Sequence, residues 1–160
     1  MISQLRLDLP NEPGKLAGAL RALAAAGVDL KALEVNEGGG GPGRGQAHVV
    51  VADPARAQTA LVAAGYACAL VPAVVAEVPD RVGGLLELLD VLARREVNVL
   101  HLYAFVTRVE GKSLCVFTVD EPAKAEALLR EAGHRPLDKT ALDGAPAPDL
   151  GAHLGVDYFW

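Results

Sequence analysis

The hydrophobic pattern of the first half of the chain alternates between strand-like and helix-like segments. In residues 5–9, leucines alternate with charged residues, which predicts a strand with one buried face. Leu16, Leu20 and Leu23 then recur at helical spacing, which predicts a helix that ends before Gly27. Further segments predict a strand at Val28–Val35, a turn at Gly38–Gly45 and a strand at Ala47–Val51. Asp53-Pro54 is predicted to cap and start a second helix that stops at Gly65, and Tyr66–Val71 is predicted to be a fourth strand. The predicted order is βαββαβ.

The same order repeats in the second half of the chain. The segment Pro10–Leu16 aligns with Pro79–Leu85, and Pro54-Ala55 aligns with Pro122-Ala123. The second copy predicts elements at Val74–Val78, Val82–Arg95, Asn98–Thr107, Leu114–Val119 and Pro122–Ala132, with a weaker last strand at Arg135–Ala141. The chain is therefore predicted to be a duplication.

Each copy has the split βαβ, ferredoxin-like pattern, an antiparallel four-stranded sheet with both helices on one face. We expect an α+β protein with a first unit at residues 1–71, a second at 72–142 and a tail at 143–160. The second strand of each unit would be an open edge, and pairing these two edges would hide both. We therefore expect the units side by side in one continuous antiparallel eight-stranded sheet, with the helices on one face.

The tail ends in three consecutive aromatic residues, Tyr158-Phe159-Trp160. Two interpretations stay open, a solvated terminus or an apolar end that docks on this chain or on a neighbour.

The composition indicates which kinds of partner and which cellular compartment to expect. The 160 residues are 51% hydrophobic, with a mean hydropathy of +0.26, so they can bury a core. A net charge of −5 and an aromatic content of 4% argue against nucleic acid as a partner. Cys68 and Cys115 have no close cysteine or histidine partner, which indicates a reducing compartment. Since the pattern also lacks a signal peptide and a long apolar run, we expect a cytoplasmic protein that does not bind membranes.

The loop after the first strand is the best candidate for chemistry. Its residues 11–16, Asn-Glu-Pro-Gly-Lys-Leu, lead into a helix whose first N–H groups and dipole favour a carboxylate. Gly14 and Gly83 would let a ligand approach the backbone closely. Asn11 and Asp80 could accept hydrogen bonds from the ammonium group of a ligand, or could simply cap the helices.

The duplicated pattern resembles the tandem ACT-domain proteins, from Ile2 to about Leu142. The resemblance rests on Asn11–Leu16 before a helix that ends in Ala26-Gly27-Val28-Asp29-Leu30, and on Val78–Leu85 before the strand Val97–Val106. ACT domains are regulatory modules that bind amino acids. The resemblance implies a small stand-alone bacterial member without a catalytic domain.

The resemblance also implies a set of ligand-binding residues. In serine-binding ACT domains that pair side by side, the ligand lies at the seam between the first loop of one unit and an asparagine that begins the second strand of the other. The corresponding residues here are Asn11, Glu12, Pro13, Gly14, Lys15 and Leu16 with Asn98, and Asp80, Arg81, Gly83 and Gly84 with Asp29.

The two seams are expected to differ. Asp29 replaces the usual asparagine and Val82 replaces the usual proline of the second loop. An asparagine can serve either pole of a zwitterion, whereas two acids would crowd one ammonium group. We therefore expect the seam of Asn11 with Asn98 to bind better than that of Asp80 with Asp29, giving one ligand per chain or two unequal sites.

The histidines are not spaced like a metal site. His48, His101, His134 and His153 share no ligand spacing, so we expect neither a metal nor a cofactor. His101 and Tyr103 lie on one face of their predicted strand, where each could either contact a ligand side chain or pack in the core.

No serine, cysteine or lysine has a visible nucleophile–base arrangement. Our main hypothesis is a non-enzymatic amino-acid-binding sensor or regulator that forms a homodimer. One alternative is a scaffold module for dimerisation that binds no small molecule. Another is a small ferredoxin-like enzyme, which would need a cluster of perturbed ionisable groups in a cleft.

Overall fold

Apart from one fused strand, the described residues form helices and strands in the order predicted from the sequence, seven strands and four helices in all. The computed structural model describes residues 1–37, 42–109 and 112–138. The elements are β1 (Ile2–Pro10), α1 (Lys15–Ala25), β2 (Leu30–Glu37), β3 (Arg44–Val51), α2 (Pro54–Ala63), β4 (Cys68–Pro79), α3 (Gly84–Ala93), β5 (Val99–Val109), β6 (Lys112–Val119), α4 (Pro122–Glu131) and β7 (Pro136–Leu137). Part of the predicted glycine-rich turn, the end of the last predicted strand and the aromatic tail lie outside the described residues.

The first unit has the predicted ferredoxin-like topology. Its strands are hydrogen-bonded in the order β2-β3-β1-β4, and all pairs are antiparallel. The alternating leucines of β1 place Leu5 and Leu7 against α1 and α2, where they pack with Leu23 and Leu61. The helix α2 begins as predicted, since the Asp53 side chain accepts a hydrogen bond from the first turn.

The second unit repeats this topology and uses the end of β4 as its first strand. The strands β5, β6, β4 and β7 are hydrogen-bonded in that order, again antiparallel. Leu88 and Leu92 of α3 and Leu129 of α4 pack on this half of the sheet around Phe117. The α+β class and the ferredoxin-like fold are therefore confirmed.

The junction between the units differs from the prediction. The strands predicted at Tyr66–Val71 and Val74–Val78 form one strand, β4, so the described part of the chain has seven strands and not eight. β4 pairs with β1 up to Ala73 and with β6 from Val74. Because the chain runs straight from one unit into the next, β4 joins the two sheets itself. Among the described residues, the predicted hydrogen-bonded pairing of the second strands, β2 with β5, is wrong, since these strands lie at opposite ends of the strand order.

The sheet instead curls until its two end strands, β2 and β5, touch through their side chains. An inner core fills the concave face and includes Ala32 of β2, Val75 of β4, and Tyr103 and Phe105 of β5. On β4, Cys68 and the alternate residues from Val74 onward face the helices of the two units. All four helices thus lie on the convex face, and the units meet across the inner core.

Within the described ranges, no helix is long and apolar enough to cross a membrane.

Candidate functional site

The β1–α1 loop borders a pocket built from the first unit. Asn11 is held by its backbone, whose N–H donates to the Gly43 carbonyl at 2.9 Å, and by its side chain, whose Nδ2 donates to Glu37 Oε1 at 3.1 Å. The pocket has a volume of about 210 Å³ and is lined by Leu9, Pro10, Asn11, Glu12, Leu16, Val35, Asn36, Glu37 and Gly45. The loop therefore faces the end of β2 and the beginning of β3.

The N-terminus of α1 has no side-chain cap. The N-cap residue is Gly14, whose φ of 86° lies in the left-handed region, and no side chain hydrogen-bonds to the first turn. This geometry decides against the helix-capping interpretation of Asn11. Glu12 and Lys15 form an exposed ion pair at 3.3 Å, while Pro13 is exposed.

The second loop has the same backbone geometry. Gly83 is the N-cap of α3 at a φ of 84°, again without a side-chain cap. A Cβ added at Gly84 would overlap the backbone oxygen of Pro79, so this position requires glycine. Arg81 forms an ion pair with Glu87 at 2.8 Å, and Asp80 is exposed.

The residues predicted from the strand beginnings have other contacts. The exposed Asn98 donates its backbone N–H to Asp120 Oδ1 at 3.0 Å, and Asp29 forms an ion pair with Lys31 at 2.9 Å. The pocket at Asn11 is lined by residues of the first unit and includes neither Asn98 nor Asp29. The contacts that position Asn11 and those that position Asn98 have no residue in common.

Tyr103 lies in the inner core between the two units. Its hydroxyl donates to Gln4 Oε1 at 2.6 Å, and Gln4 Nε2 donates to Thr118 Oγ1 at 2.6 Å. Burial, with a smaller contribution from Glu34, raises the pKa of the Tyr103 phenol far above its ordinary value. Tyr103 is therefore a neutral hydrogen-bond donor that connects the units.

The histidines at the junction form a cluster that spacing in the sequence did not indicate. The rings of His48 and His101 are 4.4 Å apart, and Glu34 Oε2 lies 3.3 Å from His48 Nδ1 and 4.0 Å from His101 Nδ1. Burial lowers the pKa of His48, the neighbouring His101 lowers it further, and Glu34 opposes the shift. The cluster was missed because its members come from β2, β3 and β5. The available signal was a histidine within each of two mostly apolar strands, β3 and β5.

A second pocket, of about 370 Å³, lies at the other end of the first unit. Its lining is mostly apolar and comprises Met1, Ile2, Ser3, Lys31, Val50, Val51, Pro54, Leu70, Val71 and Pro72. None of the ligand-binding residues predicted from the sequence lines it.

Comparison with protein families identifies the second unit. The family model described as the ACT domain matches residues 73–131. Residues 73–131 are therefore similar to an ACT domain. The first unit has the same strand order and the same uncapped glycine at the start of its first helix, so the expected resemblance to ACT proteins is confirmed.

Solved structures support this ACT-like fold over most of the chain. A protein from Bacteroides thetaiotaomicron is 24% identical with a TM-score of 0.81, and the match covers 90% of this chain and 96% of that chain. The regulatory subunit of aspartate kinase from Thermus thermophilus, in its ligand-free form, is 19% identical with a TM-score of 0.60, covering 81% and 91%. The corresponding subunit from Thermus flavus is 23% identical with a TM-score of 0.58, covering 82% and 90%. No protein of curated function matches the sequence.

Proposed function

We propose that this chain is a non-enzymatic regulatory protein that binds a free amino acid at the β1–α1 loop of its first unit. The observation that carries the proposal is the pocket beside the uncapped N-terminus of α1, with Asn11 and Glu37 on its wall. The ACT domain and the structural similarity to regulatory subunits of aspartate kinase support a regulatory role.

The pocket offers partners for both poles of a zwitterion. The α1 N-terminus favours the carboxylate by about 0.3–1 kcal/mol through its dipole, and each hydrogen bond to a charged group adds about 1.5–3 kcal/mol. Glu12, Glu37 and the Asn11 side-chain oxygen can accept hydrogen bonds from the ammonium group. Micromolar affinity requires about −8 kcal/mol, which several such bonds together can supply.

Our proposal for the complete site includes a contribution from Asn98 of the second unit, as in ACT domains whose ligand lies at a seam. The proposed stronger site contains Asn11 and Asn98, and the weaker one contains Asp80 and Asp29, where two carboxylates face one cation. A cytoplasmic homodimer is part of the same proposal.

A thermal-shift panel of the twenty amino acids tests the function. We expect at least one of them to raise the melting temperature, since a ligand at 100 times its dissociation constant stabilises by about 2.7 kcal/mol. Isothermal titration with that amino acid should then give one site, or two unequal sites, per chain. A flat panel would favour the scaffold alternative, and turnover of an added substrate would favour an enzyme.

Single substitutions then locate the ligand. Asn11→Ala should abolish the thermal shift, whereas the matched control Arg21→Ala, on the exposed face of α1, should retain it. If Asn98→Ala also abolishes the shift, the site spans both units. If Asn98→Ala binds like the unsubstituted protein, the site belongs to the first unit alone.

A further inference from the structure

Glu34, His48 and His101 bring three metal-ligating side chains to one point at the junction of the units. Each contributes one ligand atom, and these atoms all lie within 4.8 Å of one another. Glu34 and His48 belong to the first unit and His101 belongs to the second. The cluster lies apart from the pocket at Asn11, whose lining includes none of the three.

Two atoms of this cluster are buried without a hydrogen-bond partner among the described residues. His48 is only 2% exposed, and neither its Nδ1 nor Glu34 Oε2 has a hydrogen bond. The two atoms face each other at 3.3 Å, but their alignment is not that of a hydrogen bond. Buried polar atoms without partners destabilise a fold, so a pair of them aimed at one point indicates that a further atom belongs there.

The second oxygen of Glu34 is held by a neighbour on the same strand. Asn36 Nδ2 donates to Glu34 Oε1 at 3.4 Å, and this contact leaves Oε2 directed towards the two histidines. Neighbouring groups that orient a ligating side chain in this way are typical of metal sites in proteins.

We propose that Glu34, His48 and His101 bind one divalent transition-metal ion of the Zn²⁺ class. Imidazole nitrogens and a carboxylate oxygen bind Zn²⁺ at about 2.0–2.2 Å, which places tetrahedral ligand atoms about 3.4 Å apart. The observed separations of 3.3 and 4.0 Å to Glu34 Oε2 are close to this value. The partial exposure of Glu34 and His101, 25% and 32%, leaves room for water as a fourth ligand.

Charge near the site favours a cation on balance. Glu34 supplies a negative charge, and both histidines can bind the metal in their neutral form. Arg6 is the nearby positive group and opposes binding, but its side chain is exposed and is screened by water. A bound ion would join β2 and β3 of the first unit to β5 of the second.

Metal titration of the untagged full-length chain, after removal of metals with a chelator, tests the proposal. We expect one Zn²⁺ per chain by isothermal titration, a higher melting temperature with Zn²⁺, and an absorption spectrum of tetrahedral type with Co²⁺. Glu34→Gln and His101→Asn should each weaken Zn²⁺ binding at least tenfold. Both side chains are partly exposed, so these variants should fold, which circular dichroism in the presence of chelator will verify.

His134→Asn is the matched control, because His134 lies at the end of α4 and outside the cluster. This variant should bind Zn²⁺ as tightly as the unsubstituted protein. The proposal is overturned if the chain binds no metal, or if Glu34→Gln and His101→Asn bind as tightly as His134→Asn. Either result leaves the amino-acid proposal intact, because that proposal depends on a different pocket.

Discussion

Tyr103→Phe tests whether the buried hydrogen bonds between the units stabilise the fold. The substitution removes one hydroxyl and leaves Gln4 Oε1, in a side chain that is 0% exposed, without its donor. An unsatisfied buried acceptor lowers the free energy of unfolding by about 1–3 kcal/mol. For a chain of this length each kcal/mol lowers the melting temperature by about 2–4 °C. A loss of about 2 kcal/mol therefore corresponds to about 4–8 °C.

Urea unfolding followed by circular dichroism measures this loss, and Tyr66→Phe is the matched control. Tyr66 packs on the helix side of the first unit, and its hydroxyl does not bridge the two units. Its substitution should change the free energy of unfolding by less than about 0.5 kcal/mol.

A double-mutant cycle separates the hydrogen bond from a general effect of packing. Gln4→Met alone leaves the Tyr103 hydroxyl without its acceptor, whereas Gln4→Met with Tyr103→Phe removes both partners. The double variant should lose less stability than the sum of the losses in the two single variants. In the double variant both the hydroxyl and its acceptor are gone, so neither is left buried without its partner. Additive losses, or equal losses for Tyr103→Phe and Tyr66→Phe, would refute the reasoning.

Two further predictions concern the loops and the thiols. Gly14→Ala should lower the free energy of unfolding by about 1–2 kcal/mol in urea titrations, because alanine at a φ of 86° is strained; an unchanged stability would contradict this. Burial raises the pKa of both Cys68 and Cys115, and since the thiolate is the reactive form, Ellman's reagent should modify them slowly at neutral pH and faster as the pH rises. Fast modification of the folded protein at pH 7 would contradict the raised pKa values of these thiols.

The sequence predicted the two units because their signals are local and occur twice. The alternating leucines of β1 and the aspartate–proline start of α2 each depend on residues within a few positions, and both appear as predicted. Gly14 and Gly83 occupy equivalent positions in the aligned motif, and both have a positive φ. Such features require no knowledge of how the units pack.

The junction was mispredicted because it depends on contacts across the two units. The apolar residues on both sides of Pro72 are compatible with two short strands or with one long strand. Only the pairing of this segment with β1 and then with β6 shows that it is one strand, β4. The same limit concealed the cluster of Glu34, His48 and His101. Hydrophobic periodicity assigns each of these residues to a face of a strand, but the curl of the sheet determines which faces meet.

The strand β2 connects the proposed ligand pocket to the junction over a very short distance. Val35–Glu37 line the pocket, whereas Ala32 and Glu34 contact the second unit. Three residues of strand span about 10 Å, so a ligand that displaces the end of β2 acts on the junction without a long relay. Such a ligand can shift the arrangement of the units only by its difference in affinity for the two arrangements. The hydrogen bonds of Tyr103, and a metal bound at Glu34, would stabilise one arrangement of the units. A ligand that favours the other arrangement would therefore have to bind it more tightly by at least this stabilisation.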